Sequence, residues 1–315
     1  MSSKWRGKTP RGLIWLAVVI FACGQSAVRV PAASSPAPVA QERNELLSEK
    51  WSPAKLYAIL TSPNPEAREN LYRAAFEAGP AIIPRLESAL KDDRTATFAA
   101  RTLAYIGGQR ALADLAKLVN DPRNLDLRRF YYGALGGSDD PHNIDILLNK
   151  VRTSDQEPDR TVTRDAILAL SISSDASLVP KLNEVEKEVS DPVIQDDINT
   201  AATVIGLRAK YLASPAGKNS GASMNQAIRT YFMPALEEQP GGDDAGEQTE
   251  IHIRNLTYSP DKTRALAAVD FEDPQAVASY HIVVQKEQTG WKVVSVWLGS
   301  EREKPQKAPQ PANPK

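Results

Sequence analysis

Apolar residues recur at helical spacing through the segment 52–212, and short polar or Gly-containing breaks separate the runs. In one such run the apolar positions are Leu112, Leu115, Leu118 and Val119, which fall on one face of a helix. The residues that open helices recur with a period of roughly 28 to 38 residues, as expected for stacked helical hairpins. These openings lie near Pro65, Asp93, Pro122, Arg160 and Pro192. The pattern predicts an α-solenoid.

The segment divides into about five predicted pairs of helices. Pro53 and Pro65 stand in the first turn of a helix, where proline is accepted, and Gly79 ends the helix that Pro65 begins. Gly107-Gly108 and Gly136-Gly137 supply further helix stops. The predicted pairs are 53–60 with 65–78, 80–90 with 94–106, 110–119 with 123–135, 141–151 with 161–172, and 178–189 with 192–212.

A different pattern begins after residue 222. One helix is predicted over 224–236, and strands follow at 249–257, 263–271, 278–286 and 291–298. Short turns at 259–262 and 288–290 join strands, which favours an antiparallel meander with the helix on one face. The predicted fold class is therefore multidomain: an all-α solenoid followed by a small α+β antiparallel-sheet domain.

The start of the chain predicts export. A basic segment precedes the apolar run Leu13–Ala22, which is too short to cross a bilayer but fits the core of a signal peptide. The stretch Ile20-Phe21-Ala22-Cys23-Gly24 resembles the bacterial lipobox, and this resemblance implies lipidation of Cys23. An ordinary secretory signal and an uncleaved anchor are the alternatives, and the protein is exported under each of the three interpretations.

Composition sets the remaining boundaries. Residues 24–45 are read as an Ala/Ser/Pro tether, 46–212 as the helical array, 213–222 as a linker, 223–300 as the α+β domain and 301–315 as a disordered tail. Four of the 38 basic residues precede the apolar run, so the chain without that segment has 34 basic and 39 acidic residues. This slightly acidic balance gives no electrostatic footprint for nucleic acid. A single cysteine excludes an intrachain disulfide.

No catalytic, cofactor-binding or metal-binding residue is assigned. The chain contains no metalloprotease helix motif, phosphate-binding loop or nucleophile elbow. His142 is predicted to lie in a solvated first turn. His252 and His281 are expected on the sheet face opposite the apolar one, but meander order separates their strands, which argues against a shared metal site or acid/base pair.

Arginines recur in the second helices of the hairpins and are the candidate partner-binding residues. The functional interpretation is a basic stripe of Arg101, Arg129 and Arg164, together with Arg73, that holds an acidic partner. The structural interpretation, which we favour, is a ladder in which each arginine pairs with an aspartate of an adjoining repeat. The candidate aspartates are Asp92, Asp121 and Asp191.

Two stretches of the helical array carry a family resemblance. Residues 81–86 and 177–182, each with a central Pro, look like first helices of HEAT-like repeats, and 99–107 looks like a second helix. The sequence departs from that pattern at 171–174, which lacks the usual glycine, and the fourth repeat is lengthened around 154–158. The resemblance implies an elongated surface for binding proteins.

The C-terminal region resembles NTF2-like or cystatin-like domains, chiefly through its final hairpin, Thr289-Gly290-Trp291-Lys292-Val293-Val294. Such domains have a concave apolar interior that holds a ligand in some members. The residues expected on this apolar face are Ile251, Ile253, Val269, Phe271, Tyr280, Ile282, Val284, Trp291 and Trp297.

We therefore expect a non-enzymatic scaffold of the bacterial cell envelope, tethered to a membrane through lipid on Cys23. It would sit on the outer side of the cytoplasmic membrane or in the outer membrane, or be periplasmic or secreted without lipidation. A protein partner would bind the solenoid. The alternative is a small-ligand-binding or catalytic pocket in the α+β domain, with the solenoid as a docking module; a filled core there would favour the scaffold.

Overall fold

A computed structural model describes residues 37–48, 51–119, 127–136, 140–215, 217–232, 250–272 and 276–303. Helices occupy the first part and an antiparallel sheet the last, as predicted. The helices are α1 (Ala37–Leu47), α2 (Pro53–Leu60), α3 (Pro65–Ala78), α4 (Ile83–Ala89), α5 (Asp93–Ile106), α6 (Gly108–Leu118), α7 (Arg128–Ala134), α8 (Pro141–Arg152), α9 (Arg160–Ser171), α10 (Leu178–Glu188), α11 (Pro192–Ala213) and α12 (Met224–Phe232).

Side-chain caps fix where the second helices of the hairpins begin. Asn64 accepts from the backbone N–H of Glu66 at 3.0 Å, and Asp92, Asp159 and Asp191 make the equivalent bond at the starts of α5, α9 and α11. Each cap satisfies an N–H group that has no partner inside the helix. The recurrence of the helices therefore follows from the recurrence of Asn and Asp in the sequence.

The second helices of the hairpins stand in succession. Helices α3, α5, α7, α9 and α11 contact one another in that order, and the first helices α8 and α10 also meet. One continuous apolar core runs between the helices, from Leu56 and Leu71 to Ile198 and Ile205. We call the five consecutive second helices the row.

Two predicted boundaries need correction. The predicted tether ends at residue 45, but Ala37–Leu47 form α1, with Val39 and Leu46 buried in the helical core. The predicted linker contains a 3₁₀ turn at Gly217–Asn219, and Gly221 accepts a hydrogen bond from the Trp291 N–H at 2.8 Å. Both segments are rich in Ala, Pro, Ser and Gly, a composition that is typical of linkers. Small residues also fit where neighbouring elements approach closely, so the same composition occurs in a packed segment.

The sheet has the predicted meander order β1-β2-β3-β4. Helix α12 packs on it through contacts with β3 and β4. Ile228 of α12 is fully buried among the apolar side chains of that face. The strands are β1 (Glu250–Tyr258), β2 (Arg264–Glu272), β3 (Ala276–Glu287) and β4 (Gly290–Glu303), so β4 runs into the segment predicted as a disordered tail.

One member of the predicted apolar face lies on the other side of the sheet. Val284 pairs with Val293, but Val283 pairs with Ser295, so Val294 is an extra residue in β4. Such a bulge reverses the alternation of side chains beyond it. Trp291 packs with the α12 side of the sheet, whereas Trp297 faces the helices. The other predicted members of this face do pack with the α12 side.

The second face of the sheet is also covered. Phe76 of α3 and Tyr105 of α5 join Leu266, Val283 and Val294 in a small apolar core between the row and the sheet. Because both faces are buried, the central strands β2 and β3 contain runs of consecutive buried residues. The helical part and the sheet therefore share a core rather than touching only at their rims.

Two glycines let the β1–β2 turn reach the row. Gly79 and Gly107 end α3 and α5 with φ of 59° and 64°, which is a conformation that favours glycine. A Cβ on Gly79 would lie 2.8 Å from the ring of Pro260. Beside Gly107, Arg264 donates from Nη1 to the carbonyl of Ile106 at 2.8 Å. The β1–β2 connection thus packs against the C-terminal end of α3 and caps that of α5 with a hydrogen bond.

Candidate functional site

The face of the row that meets the sheet is built around Arg101. Its guanidinium lies 4.9 Å from the ring centroid of Trp297 and 5.7 Å from that of Tyr72. Trp297 reaches the next helix as well, because a Cβ on Gly133 would lie only 3.3 Å from the tip of its indole. Cation–π stacking therefore ties Arg101 to the chain's own sheet. We call this part of the row, on α3 and α5, the covered surface.

A bridge of charged groups flanks this stacking. Arg254 of β1 lies 3.1 Å from Glu69 of α3 and 2.9 Å from Asp270 of β2. Asn255 donates to the other oxygen of Glu69 at 2.7 Å. Burial would raise the pKa of Glu69, but the Arg254 charge and these hydrogen bonds hold it below its usual value. Glu69 is therefore a carboxylate that fixes β1 to α3.

His281 of β3 packs against the covered surface, on the sheet face predicted from the alternation of side chains. Its Nδ1 is 2.9 Å from the hydroxyl of Tyr105, and its ring meets Tyr72 edge-on at 5.5 Å. Burial lowers the pKa of His281 to about 4, and the charges of Arg101 and Arg254 act in the same direction. A neutral imidazole between two tyrosines is suited to holding the interface together.

Further along the row, the arginines pair with aspartates of the next second helix. Arg129 Nε is 2.9 Å from Asp165 Oδ2, and Arg164 Nε is 2.8 Å from Asp197 Oδ2. This is the predicted ladder for these two arginines, but the acids are not those expected. Asp92 pairs with Arg94 of its own helix, Asp191 pairs with Arg160, and Asp121 lies outside the described residues.

The ladder was assigned to the wrong aspartates for a physical reason. Asp92 and Asp191 are N-caps at the very start of their helices, and Asp191 meets Arg160, at the start of the preceding second helix, rather than Arg164. Asp165 and Asp197 instead lie within the first two turns of their helices, where a side chain can reach sideways to the preceding helix. Arg73 and Arg101 do not follow the ladder, since Arg73 donates to Thr257 Oγ1 at 2.9 Å.

The two ladder pairs differ in burial. Asp197 is 2 % exposed, and burial raises its pKa to about 6 against the opposing charge and hydrogen bond of Arg164. Burial also raises the pKa of Asp165, although the Arg129 side chain is 44 % exposed. Leu168, one turn beyond Arg164 and Asp165, is 43 % exposed. We call Arg129, Arg164, Asp165 and Leu168 the open surface.

The other candidates are dispersed. His142 lies in the exposed first turn of α8, and its backbone N–H is capped by Asp140. His252 is 3.0 Å from Glu250 on β1, with β2 between it and the strand of His281. Across the described residues, no three His, Cys, Asp or Glu side chains converge as metal ligands. No helix in that part of the chain is long and apolar enough to span a membrane.

Sequence reasoning missed two buried charged groups. Glu157, in the lengthened fourth repeat, pairs with Lys150 and, at 2.9 Å, with Arg128. Arg208 of α11 is 4 % exposed and lines a cleft of about 550 Å³ beside α12 and the β3–β4 turn. For Arg208 the signal was a charged residue inside an apolar helical stretch, whereas Glu157 lies in a polar loop that gave none.

No family model matches the chain, and no curated protein is significantly similar to it. The site must therefore be interpreted from its own geometry. Cys23 lies outside the described residues, so its lipidation stays a prediction.

Proposed function

We propose that the protein is an exported, membrane-tethered scaffold that holds a protein partner on the open surface of a HEAT-like solenoid. One observation supports this most directly: the sheet of the same chain occupies the row at α3 and α5, while the equivalent face of α7 and α9 carries exposed arginine and leucine side chains. A row that binds one folded sheet through arginine and aromatic contacts is suited to binding a second protein further along.

The chemistry of the open surface defines the partner. Arg129 has guanidinium N–H groups in contact with water, and its Asp165 partner is 23 % exposed at the side chain, so an incoming carboxylate can share or replace that contact. Leu168 offers an apolar patch on the same helix face. The partner surface should therefore present acidic side chains next to an apolar one. Arg101 takes no part, because Trp297 and Tyr72 already cover it.

The rival function, a ligand pocket inside an NTF2-like or cystatin-like domain, has less support. The apolar face of the sheet is packed against α12, where Ile228 is fully buried with Ile282 and Val284. Among the described residues this part of the face is filled, and the cleft of about 550 Å³ lies instead beside Arg208 and the β3–β4 turn. The packing of α12 on the apolar face therefore favours the scaffold over a ligand pocket inside the domain.

Site-directed photo-crosslinking tests the partner surface. A photo-reactive phenylalanine derivative replaces Leu168 in the full chain expressed in its native envelope, and the matched control carries it at Tyr57, which is 37 % exposed on α2. We expect a discrete protein adduct from position 168 and none from position 57. Equal adducts from both positions, or none from 168, would refute the proposal.

A charge reversal sharpens the same experiment. Arg129→Glu should abolish most of the adduct at position 168, and raised salt should weaken it, because exposed charges are screened. Arg152→Glu is the control, since the Arg152 side chain is as exposed as that of Arg129 and pairs with Glu188 on the first helices. If the two variants behave alike, the open surface does not recognise acidic groups.

Fractionation tests the tether separately. Cys23→Ser should move the protein from detergent-extracted membrane material to the aqueous fraction, because the lipid would be lost. Identical fractionation of the variant and the unmodified chain would remove the lipoprotein part of the proposal and leave the partner surface untouched.

A further inference from the structure

The cleft at the end of the helical array contains a buried guanidinium without a counter-ion. Arg208 Nη1 donates to the carbonyls of Ser171, Ile172 and Ser173 at 2.7 to 3.1 Å, which completes the C-terminal end of α9. Within the described residues no carboxylate pairs with this guanidinium, and its Nε is buried without an acceptor. Buried charges are costly unless they are paired, so this site favours an anion.

The guanidinium is held rigidly in place. It stacks on the ring of Tyr231 with 3.9 Å between the guanidinium carbon and the ring centroid. Burial lowers the pKa of Arg208, while Tyr231 acts in the opposite direction. Arginine nevertheless remains charged at neutral pH. The cleft therefore has a fixed positive group on its wall.

The rest of the lining combines hydrogen-bonding and apolar groups. Ser220 and Thr230 are buried residues with hydroxyl groups, and both line the cleft. Trp291 and Leu212 supply apolar wall, and Lys218 stands at the exposed 3₁₀ turn. The volume of about 550 Å³ falls in the range of small-molecule sites.

The acidic residues of the lining are already engaged. Asp175 accepts from the N–H and the hydroxyl of Ser177, at 2.8 and 2.7 Å. Glu287 lies 3.7 Å from Lys292. Neither of them pairs with Arg208, and the cations of the lining, Arg208, Lys218 and Lys292, outnumber these two acids, so the cleft keeps a net attraction for negative charge.

We infer that this cleft binds a small amphipathic carboxylate, with its carboxylate directed to Arg208 and its apolar body against Trp291. The hydroxyls of Ser220 and Thr230 complete the carboxylate's hydrogen bonds. The site is separate from the open surface on α7 and α9, and the inference does not depend on a protein partner binding there.

Side-chain NMR of the full chain tests this directly. The probe is 3-phenylpropionate, and the matched control ligand is its neutral amide. The carboxylate should shift the Nε–Hε signal of Arg208 and leave that of Arg264, which also caps a helix end but lines no part of this cleft. We expect the amide to bind about tenfold more weakly, since a charge-assisted hydrogen bond contributes that much.

Variants separate binding from folding. Arg208→Gln should weaken 3-phenylpropionate about tenfold, and Thr230→Val, which preserves side-chain volume, should weaken it severalfold even if Arg208→Gln fails to fold. Lys218→Ala should weaken binding slightly, whereas Lys210→Ala, an exposed lysine of α11 outside the lining, should not. An unmoved Arg208 signal at millimolar carboxylate, or equal binding of carboxylate and amide, would overturn the inference.

Discussion

The covered and open surfaces use the same residue type in opposite ways. Arg73 and Arg101, on the covered surface, contact a threonine hydroxyl and aromatic rings of the sheet. Arg129 and Arg164, further along the row, are matched by carboxylates of the neighbouring helix. An arginine that faces a fixed protein surface can be satisfied by that surface. An arginine that faces water is held by an acid of its own array.

This difference has a consequence for recognition. The carboxylates of the open surface keep the arginines extended and oriented, yet exposed ion pairs contribute little to stability. Such pairs can exchange partners at small cost. The covered surface, by contrast, cannot exchange its contacts easily, because its aromatic and charged groups are packed away from water.

The largest expected effect tests whether the covered surface is part of the folding core. Phe76→Ala should destabilise the protein by about 3 to 5 kcal/mol, as is usual for a buried phenylalanine, because Phe76 is 1 % exposed between row and sheet. Leu168→Ala on the open surface should change stability by no more than about 0.5 kcal/mol. Denaturant unfolding measures both, and similar losses would erase the distinction between the two surfaces.

A second comparison concerns the charged bridge. Arg254→Ala removes the partner of both Glu69 and Asp270 and should cost about 1.5 to 3 kcal/mol, with solvent screening favouring the lower end because Arg254 is 37 % exposed. Arg152→Ala, from the exposed pair with Glu188, is the control and should cost less than about 1 kcal/mol. If Arg254 proves dispensable, the sheet is held by apolar contacts alone.

Within the open surface the two ladder pairs should differ. Arg164→Ala leaves Asp197 buried without its counter-ion and should cost about 1 to 2 kcal/mol, whereas Arg129→Ala should cost at most about 1 kcal/mol, because that pair is exposed. Thermal unfolding of the two variants at equal ionic strength measures the difference. The reverse order of stabilities would show that the burial of Asp197 is not maintained in solution.

The smallest net effect is a pH dependence, because the contributions of the two surfaces oppose each other. His281 has a lowered folded-state pKa, so its contribution to stability is present above about pH 6.5 and is lost as the pH falls through about 4. Asp197 has a raised folded-state pKa, so its contribution is present at low pH and is lost as the pH rises through about 6.

Two variants resolve these contributions. Between about pH 6.5 and pH 4, His281→Gln should lose less stability than the unmodified chain, and Asp197→Asn should lose more. The free energy of unfolding at several pH values checks both signs. Parallel curves for all three proteins would mean that neither group titrates differently in the folded and unfolded states.

The helices and strands were predictable because their signals are local. Caps such as Asn64 and Asp159, and stops such as Gly79, lie within one turn of the ends they define. The α1 helix was missed because Ala and Pro conceal its two buried residues, Val39 and Leu46. Trp297 was placed on the wrong face because a bulge is set by tertiary packing and has no local signature.

The candidate site was harder to predict than the fold. The recurrence of arginines at 101, 129 and 164 is visible in the sequence, but their partners depend on which helix faces which. The docking of the sheet over Arg101 depends on the close approach of Trp297 to Gly133, a contact between distant parts of the chain. The cleft beside Arg208 likewise forms only where α9, α11, α12 and the β3–β4 turn meet.

The contacts of the β1–β2 turn region with the ends of α3 and α5 also bear on the order of folding. Arg264 and Ile106 are 158 residues apart in sequence, and Tyr105 and His281 are 176 apart, whereas the ladder pairs span only 33 to 36 residues. Distant contacts form slowly because a long loop must close first. Pulse-labelling hydrogen exchange should therefore show α9 and α11 protected before α3 and α5. The N-terminal helices are made first yet would mature last, exposing Phe76 and Tyr105 to aggregation until the sheet arrives.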